Sequence, residues 1–332
     1  MNILLLILVP ALITLGLTYL VRKVAIRKSL MDIPVKRSSH EIPTPRGGGI
    51  AIVFTWYAGV LIFYLLGNIE KALFLALSSG LILVAISFLD DILTIPYSVR
   101  LLFQVLGIAL GVYFLGGIES IDFGLFQLSQ TLILSIVSVL GLIWFVNLYN
   151  FLDGIDGYAA MEAIFIALAI YIFTGNPILL LLAASVLGFL YWNWQRAKIF
   201  MGDVGSILLG YTLGILAIYF HTSGELSLLV FVILSALFWF DATITLFRRA
   251  KNRENITQAH KKHAYQRVVQ GGFSHQKTVL YSILLNIVLF VFAYLAVEEY
   301  RFILPVIILV LGFLYLIVRK IDRIKSFPKD KK

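Results

Sequence analysis

The sequence predicts an all-α integral membrane protein with about 10 or 11 transmembrane helices. Of its 332 residues, 60% are hydrophobic and only 14% are charged, and the mean hydropathy is +0.95. A chain of this composition cannot cover itself with polar surface, so lipid must be its main solvent. The apolar residues form runs long enough to cross a bilayer, and the basic residues between these runs follow a one-sided pattern.

Eleven apolar runs account for the predicted helices. They lie at residues 2–21, 48–67, 72–89, 101–118, 129–149, 158–175, 177–195, 204–221, 226–247, 278–297 and 302–318. The first run is long for a signal-peptide core and lacks a small-residue cleavage site, so we expect it to be retained. No internal repeat and no polar linker interrupts the pattern, which predicts one membrane domain, residues 1–332.

The positions of the basic residues predict the orientation. An odd number of spans puts the two termini on opposite sides of the membrane. With the N-terminus outside, all of the 27 Lys and Arg residues except Lys71 and Arg301 fall in cytoplasmic segments. The positive-inside rule therefore predicts a multi-pass protein of the inner (plasma) membrane with a cytoplasmic C-terminus. The net charge of +9 is thereby explained by topology and membrane contact, and no nucleic-acid partner is expected.

Six aspartates lie at the run ends that this orientation makes cytoplasmic. They are Asp90, Asp91, Asp153, Asp156, Asp203 and Asp241. With few basic residues beside them, the first five would repel one another, which predicts a bound cation. Oxygen ligands without cysteine favour Mg²⁺, with Mn²⁺ as an alternative, over zinc. Each aspartate alone is also explained as a helix cap or a turn residue, and Asp241 by an ion pair with Arg248 or Arg249.

The first inner loop carries groups that favour anions. Lys36, Arg37, His40 and Arg46 precede the glycines 47–49 at the start of the second run. Glycines let backbone N–H groups approach a phosphate, and a helix N-terminus favours negative charge. Such glycines also ease helix packing, which is the alternative. We predict a phosphate site here, with Arg37 and Arg46 as substrate-binding residues.

The last inner loop, residues 248–277, carries eight Lys or Arg residues together with His260 and His263. The HxxH spacing can form half of a zinc site, but no third ligand is evident. We prefer hydrogen bonds from the imidazoles to a substrate phosphate or sugar hydroxyl. A basic loop that rests on anionic lipid is the alternative.

Five motifs, in this order along the chain, resemble the polyprenyl-phosphate N-acetylhexosamine-1-phosphate transferases, the glycosyltransferase family 4 that includes MraY and WecA. They are DIPVKRSSHEIPTPRGGG, the pair Asp90-Asp91, NLYNFLDGIDG, FMGDVGS and HKKHAYQ, and they extend from residue 32 to residue 266. The resemblance implies a cytoplasmic active-site cleft, Mg²⁺ dependence, and transfer of a sugar phosphate from a UDP-N-acetylhexosamine to a polyprenyl phosphate such as undecaprenyl phosphate. It leaves a homodimer open.

Within the family, the stretch AHKKHAYQ is most similar to the WbpL-like branch, which initiates O-antigen and related envelope polysaccharides. The peptidoglycan branch has a triple-histidine stretch that is absent here. This departure puts UDP-MurNAc-pentapeptide in doubt as the donor. The resemblance leaves open whether the donor is UDP-GlcNAc or a 6-deoxy-N-acetylhexosamine such as UDP-FucNAc or UDP-QuiNAc.

The resemblance also implies roles for the residues of two motifs. Asp203 and Asn150 match positions that hold Mg²⁺ on the donor pyrophosphate. Asp153 and Asp156 match positions that line the nucleoside pocket, with Asp156 nearest the uracil.

Three further positions match the family pattern. Asp90 and Asp91 match the pair assigned to lipid-phosphate activation or metal support, so both are expected to be catalytic with Asp203. Arg100 matches a basic position near the pyrophosphate. His260 and His263 match the loop that meets the donor sugar and its phosphate.

General chemistry agrees with this interpretation. A phosphate monoester has a second pKa of about 6, so the lipid nucleophile is already largely ionised at neutral pH. A general base therefore adds little, and positioning and charge stabilisation should dominate. Asp90 is the best candidate if a base is used. A secondary transporter of anionic metabolites is the alternative from another class, but it would place its polar groups near the membrane midplane.

Overall fold

The structure, a computed structural model, describes residues 2–34, 39, 42–93, 95–256, 258 and 260–328. These residues form thirteen α-helices. They are α1 (Ile3–Arg27), α2 (Gly49–Leu65), α3 (Lys71–Leu93), α4 (Tyr97–Phe114), α5 (Thr131–Leu152), α6 (Tyr158–Thr174), α7 (Ile178–Asn193), α8 (Asp203–Thr222), α9 (Leu228–Leu234), α10 (Ala236–Lys251), α11 (Ala264–Gln270), α12 (His275–Glu298) and α13 (Ile303–Ile324). Short connections supply the remaining elements, which are the 3₁₀ turn Tyr300–Phe302 and two antiparallel pairings, Met31–Asp32 with Thr44–Pro45 and Ile121–Asp122 with Gln127–Leu128.

The predicted apolar runs coincide with these helices. In the described part of the chain, seven helices are long and apolar enough to cross a membrane, namely α1, α3, α4, α5, α8, α12 and α13 with the turn before it. The apolar helices α2, α6 and α7 are shorter, and α9 with α10 forms a bent pair. Together they account for all eleven runs, so the prediction of an all-α membrane fold is confirmed.

The ninth run folds as two helices rather than one. α9 and α10 meet at Ser235 with a bend of 73°. The Ser235 hydroxyl donates to the Phe231 carbonyl at 2.7 Å, and the Trp239 indole donates to the Val232 carbonyl at 2.8 Å. These side chains supply hydrogen bonds to backbone carbonyls near the bend. The apolar segment can therefore bend at this point although it contains no proline or glycine there.

Helix α8 lies at the centre of the bundle, in contact with α2, α3, α4, α5, α6 and α9. Almost every side chain from Val204 to Phe220 is buried. Glycines bring α2 against it: a Cβ placed on Gly49 would lie only 2.4 Å from the Cα of Gly205. This contact joins the starts of the two helices and so fixes the position of Asp203.

The outer helices present large apolar side chains at the surface, as expected for helices that face lipid. Examples are Leu12 of α1, Leu284 of α12 and Ile308 of α13. Inside the bundle, the buried side chain of Glu162 on α6 accepts a 2.5 Å hydrogen bond from Asn286 on α12. This carboxyl is not among the predicted site residues, and its pairing with an amide inside the bundle keeps it away from lipid.

Candidate active site

A cavity of about 370 Å³ lies where several helix ends meet. The ends of α3, α5 and α7 and the starts of α8 and α12 supply side chains to it. Its lining residues are Asp32, Ser39, Arg46, Asp91, Asn150, Asp153, Gly154, Ile155, Asp156, Asn193, Phe200, Met201, Gly202, Asp203, His260, Gln266 and His275. The structure thus gathers predicted site residues from separate motifs around one cavity.

Asn150 and Asp203 lie next to each other at the interface of α5 and α8. The Ser206 hydroxyl donates to Oδ1 of Asn150 at 2.7 Å, and the Asn150 side chain lies near enough to the Asp203 carboxylate to stabilise its charged form. Gly202, just before Asp203, has a φ of +76°, which L side chains rarely adopt. The FMGDVGS motif therefore turns sharply and puts Asp203 at a helix N-terminus, where the dipole favours a carboxylate.

Two arginines pair with the aspartates of this cluster. Arg100 Nη1 lies 2.5 Å from Oδ2 of Asp90 and 3.9 Å from Oδ2 of Asp203. Arg46 Nη1 lies 3.7 Å from Oδ1 of Asp91. A bound cation was predicted on the premise that few bases accompany these acids. That premise was wrong, because Arg46 and Arg100 already offset part of the negative charge.

Asp90 and Asp91 have different surroundings. Asp90 uses Oδ2 for Arg100 and Oδ1 to accept the backbone N–H of Ile95 at 2.7 Å, and it is not among the described residues that line the cavity. Asp91 does line the cavity. The geometry therefore does not favour Asp90 as the base candidate, since both of its oxygens are engaged, and Asp91 is the better placed member of the pair.

Asp153 lies in the turn between α5 and α6. Burial raises the pKa of its carboxyl to about 7, and the negative charges of Asp203 and Asp156 act in the same direction. The Asp153 carboxyl is therefore partly protonated near neutral pH in the free protein. A charged group that enters the cavity would change the pKa of this carboxyl again.

Asn193 is a cavity residue that the sequence analysis missed. Its Oδ1 accepts the backbone N–H of Gly157 at 3.0 Å, and its Nδ2 donates to the carbonyl of Ile199 at 3.0 Å. Gly157 has a φ of +74°. Asn193 thus holds the DGIDG turn against the segment before α8, and it carried no sequence signal because it ends an apolar helix.

His275, the first residue of α12, was also missed. Its Nε2 donates to the carbonyl of Ser39 at 3.1 Å, and its Nδ1 lies 3.3 Å from both Oδ2 and the backbone N of Asp156. In the sequence this histidine follows Ser274, a common helix-capping residue, and so looks like an ordinary helix start. In the structure the hydroxyl of Ser274 does accept the N–H of Lys277 as a helix cap.

The two histidines of the last loop occupy different positions. His260 lines the cavity. Burial lowers the pKa of His260 to about 3, with neighbouring positive charges adding to the effect, so its imidazole is neutral at physiological pH. His263 is buried, with Nδ1 3.7 Å from Oδ1 of Asp241, and it is not among the described cavity residues. Its position supports a role in holding the loop and does not support the predicted contact with substrate.

Asp241 does not form the predicted ion pair with Arg248 or Arg249, which pair with other acids. Its buried carboxylate instead accepts the backbone N–H groups of Ala264 at 2.7 Å and Tyr265 at 3.3 Å. Asp241 therefore caps α11 and anchors the HKKHAYQ loop.

Gly48 and Gly49 use their backbone N–H groups within the protein and do not present them to a ligand. Gly48 donates to the carbonyl of Phe200 and Gly49 to the carbonyl of Met201, each at 2.9 Å. The alternative of helix packing therefore applies to these two glycines. Arg46 remains at the cavity as a phosphate candidate. The predicted residues Lys36, Arg37 and His40 lie outside the described residues.

The fold and the cavity define a polytopic membrane protein with a charged site at one end of its helical bundle. The family model described as glycosyl transferase family 4 matches residues 72–221, from α3 to α8. A probable undecaprenyl-phosphate N-acetylglucosaminyl 1-phosphate transferase of Bacillus subtilis is 31% identical over 82% of this chain and 78% of its own length.

Two further relatives carry the names of different transferases. A decaprenyl-phosphate N-acetylglucosaminephosphotransferase of Mycolicibacterium smegmatis is 30% identical over 82% of this chain and 77% of its own length. A phospho-N-acetylmuramoyl-pentapeptide-transferase of Thermotoga neapolitana is 31% identical over 57% of this chain and 64% of its own length. The chain belongs to glycosyl transferase family 4, the MraY/WecA family of membrane transferases.

Proposed function

We propose that the protein transfers N-acetylhexosamine 1-phosphate from a UDP-sugar to a polyprenyl phosphate at the cytoplasmic membrane face and releases UMP. The observation that carries this proposal is the meeting of Asp203, Asn150 and Arg46 at one cavity beside Asp91. The names of the relatives, which specify undecaprenyl or decaprenyl phosphate and N-acetylglucosamine, support the acceptor and the sugar class. The product would begin a lipid-linked glycan of the cell envelope.

The proposed reaction is a displacement at phosphorus. An oxygen of the lipid phosphate attacks the phosphorus next to the sugar, the bond from that phosphorus to the bridging oxygen breaks, and UMP leaves with this oxygen. The chain's own part is to position both phosphates and offset their charge, a role we assign to Arg46, which lines the cavity, and to Arg100, which lies 3.9 Å from Asp203. Asp90 then orients Arg100, and Asp91 faces the reacting groups.

The nucleoside is proposed to lie on the side of Asp153 and Asp156, and the sugar near His260 and Gln266. All four residues line the cavity. Nδ1 of His260 accepts the backbone N–H of Lys262 at 3.2 Å, so the neutral imidazole carries its proton on Nε2 and can donate a hydrogen bond to a sugar hydroxyl or acetamido oxygen.

The donor set also fits a divalent metal. Asp203, Asn150 and Asp91 offer only oxygen ligands. Among the described residues, no three His, Asp or Glu side chains lie close enough to hold a metal by themselves. Mg²⁺ often takes one or two carboxylates and completes its shell with substrate phosphates, so the two carboxylates and the amide oxygen at this cavity would be enough to hold it. When bound, Mg²⁺ would neutralise the charge of the donor pyrophosphate.

An apolar groove of about 300 Å³ supports the lipid acceptor. It is lined by α5 and by the bent pair α9–α10, with Leu142, Phe145 and Trp239 among its side chains. Phe145 and Asn150 lie on the same helix, about 7.5 Å apart along its axis at 1.5 Å per residue. The groove continues to Ile218, near the end of α8 opposite the cavity, so we propose that the isoprenoid chain occupies the groove with its phosphate directed towards the cavity.

The experiment is a UMP-release assay with the purified full-length protein. Undecaprenyl phosphate is combined with UDP-GlcNAc, UDP-FucNAc or UDP-QuiNAc in the presence of Mg²⁺. UMP should form only when lipid and a UDP-sugar are both present, and the Asp203→Asn variant should lose several orders of magnitude of activity. Asp122→Asn, at an exposed carboxylate in the short hairpin between α4 and α5, is the matched control. Absence of UMP with every donor, or equal turnover by Asp203→Asn, would refute the proposal.

The membrane orientation has its own test. A reporter fused after Lys262 should read cytoplasmic, and one placed at Asn176 should read external, because 25 of the 27 basic residues lie on the predicted inner side. A cytoplasmic reading at Asn176 would contradict the assignment of the cavity to the cytoplasmic face.

A further inference from the structure

His275 connects three separate segments at the edge of the cavity. It begins α12, its Nε2 bonds the carbonyl of Ser39 at 3.1 Å, and its Nδ1 lies 3.3 Å from Asp156. The start of α12 is held in addition by the N–H of Gln276, which donates to Oε1 of Gln195 at 3.1 Å. The imidazole therefore occupies a defined position against the DGIDG turn.

The carboxylate of Asp156 is oriented by its neighbours. Its Oδ2 accepts the backbone N–H of Ala197 at 3.1 Å and lies on the side of His275. In the described part of the chain, Oδ1 has no hydrogen-bond partner, although Asp156 is buried and lines the cavity. One oxygen is thus held by protein, and the other is left to accept a hydrogen bond from a ligand.

The bond to Ser39 assigns the proton of the imidazole. A carbonyl only accepts, so Nε2 must carry hydrogen, and Nδ1 is the atom that faces Asp156. A neutral ring accepts the backbone N–H of Asp156 at Nδ1, whereas a protonated ring donates to Oδ2. In both states the ring restrains Asp156.

We propose that His275 is a positioning residue that acts through Asp156 to set the affinity for the UDP portion of the donor. The inference rests on the proposed function and extends it to a residue outside the five family motifs. The imidazole fixes the turn and the carboxylate rotamer, so that Oδ1 of Asp156 is presented to the nucleotide. The phosphates and the lipid acceptor are contacted by other residues.

The first test is the His275→Ala variant, assayed by UMP release. We expect the KM for the UDP-sugar to rise about ten- to a hundredfold, because a charged hydrogen-bonding group loses its restraint. The kcat and the KM for undecaprenyl phosphate should change by less than about threefold, since the reacting groups are untouched. An unchanged donor KM, or a loss confined to kcat, would overturn the proposal.

His221→Ala is the matched control. His221 also bridges two segments, with Nε2 bonded to the carbonyl of Ser120 at 2.8 Å and Nδ1 facing the N–H of Leu228 at 3.4 Å. It lies in the last turn of α8, whereas Asp203 begins that helix. A similar rise in donor KM in both variants would assign the effect to general loosening of the bundle and overturn the proposal.

Two conservative variants separate the contacts of the ring. The amide of Asn reaches the position of Nδ1, and the longer amide of Gln reaches that of Nε2. His275→Asn should therefore recover more donor affinity than His275→Gln if Asp156 is the partner that matters. Better recovery by Gln would assign the role to Ser39 instead. This comparison also decides the matter if His275→Ala fails to fold.

A double-mutant cycle completes the test. If His275 acts through Asp156, the donor KM of His275→Ala/Asp156→Ala should be close to that of Asp156→Ala alone. A donor KM of the double variant that is raised by the product of the two single-variant effects would show that His275 acts independently and would overturn the inference. A wild-type protein that releases no UMP would refute the proposed function, whereas normal wild-type turnover with full additivity refutes only the role of His275.

Discussion

Gly49 of α2 and Gly205 of α8 bring their helices into backbone contact, since a Cβ on Gly49 would lie 2.4 Å from the Cα of Gly205. Gly49→Ala and Gly205→Ala should each destabilise the protein by about 1–3 kcal/mol, because the helices must move apart. Both variants should also lose transferase activity, because the displaced helix start carries Asp203. Thermal unfolding in detergent and the UMP assay measure the two effects.

Gly16→Ala in α1 is the control for these substitutions. A Cβ at Gly16 meets no atom within 4 Å, so alanine should leave stability unchanged or raise it by up to about 1 kcal/mol through helix propensity. Equal stability of the Gly205→Ala and Gly16→Ala variants would contradict the backbone contact between α2 and α8.

The Asp241 carboxylate caps α11 through Ala264 and Tyr265. Asp241→Asn should weaken these bonds by about 1.5–3 kcal/mol, since the charge is lost and one acceptor becomes a donor. We expect faster hydrogen exchange at both amides and a higher donor KM as the loop of His260 loosens. Thr245→Val is the control, because Thr245 donates to Asp241 at 3.1 Å but has no bond to the backbone of α11. Unchanged exchange in Asp241→Asn would show that the cap does not hold the loop.

Asp322 joins α13 to the last loop. It bonds Arg248 at 3.0 Å and Arg267 at 2.6 Å, and the Arg267 side chain is only 1% exposed. Asp322→Ala should destabilise the protein by about 3–5 kcal/mol, because the buried guanidinium of Arg267 would lose its carboxylate partner and, among the described residues, keep only the carbonyl of Lys325 as an acceptor. Glu299→Ala breaks an exposed pair with Arg301 and should change stability by only about 0–1 kcal/mol. Similar unfolding temperatures for the two variants would contradict a buried ion pair at Asp322.

The stability of the protein should depend on pH through Asp153. Its folded-state pKa of about 7 exceeds the ordinary value of 3.8, so the folded protein keeps this proton where the unfolded chain has lost it. Ionisation of Asp153 therefore lowers the free energy of unfolding. This loss of stability grows from about pH 4 to about pH 7 and is constant above that. Asp153→Asn should raise the unfolding temperature more at pH 8 than at pH 5. An equal gain at both values would contradict the raised pKa.

Much of the fold was predictable because the membrane imposes it. Each apolar run had to become helical in order to satisfy its backbone in lipid, and all eleven are helical, the ninth as the bent pair α9–α10. The bend at Ser235 was not predictable, because the stabilising bonds of Ser235 and Trp239 depend on a geometry that apolar periodicity does not encode.

The candidate site was predictable to the extent that its residues are conspicuous in their local sequence. Acids such as Asp203 and Asp153 stood out because charge is rare beside apolar runs. Asn193 and His275 did not stand out, because their roles arise only when distant segments meet. The predicted ion pair of Asp241 with an arginine was wrong for the same reason, because its actual partner, the start of α11, is distant from it in the sequence.

The central claim is that the phosphorus next to the sugar moves with the sugar to the lipid. The most direct measurement uses UDP-GlcNAc, or the donor that the UMP assay selects, with a radioactive label at that β-phosphorus. After incubation with undecaprenyl phosphate and Mg²⁺, the account predicts that the label is extracted with the lipid and that the released UMP is unlabelled. Recovery of the label in UDP would mean that only the sugar is transferred, and it would contradict the account.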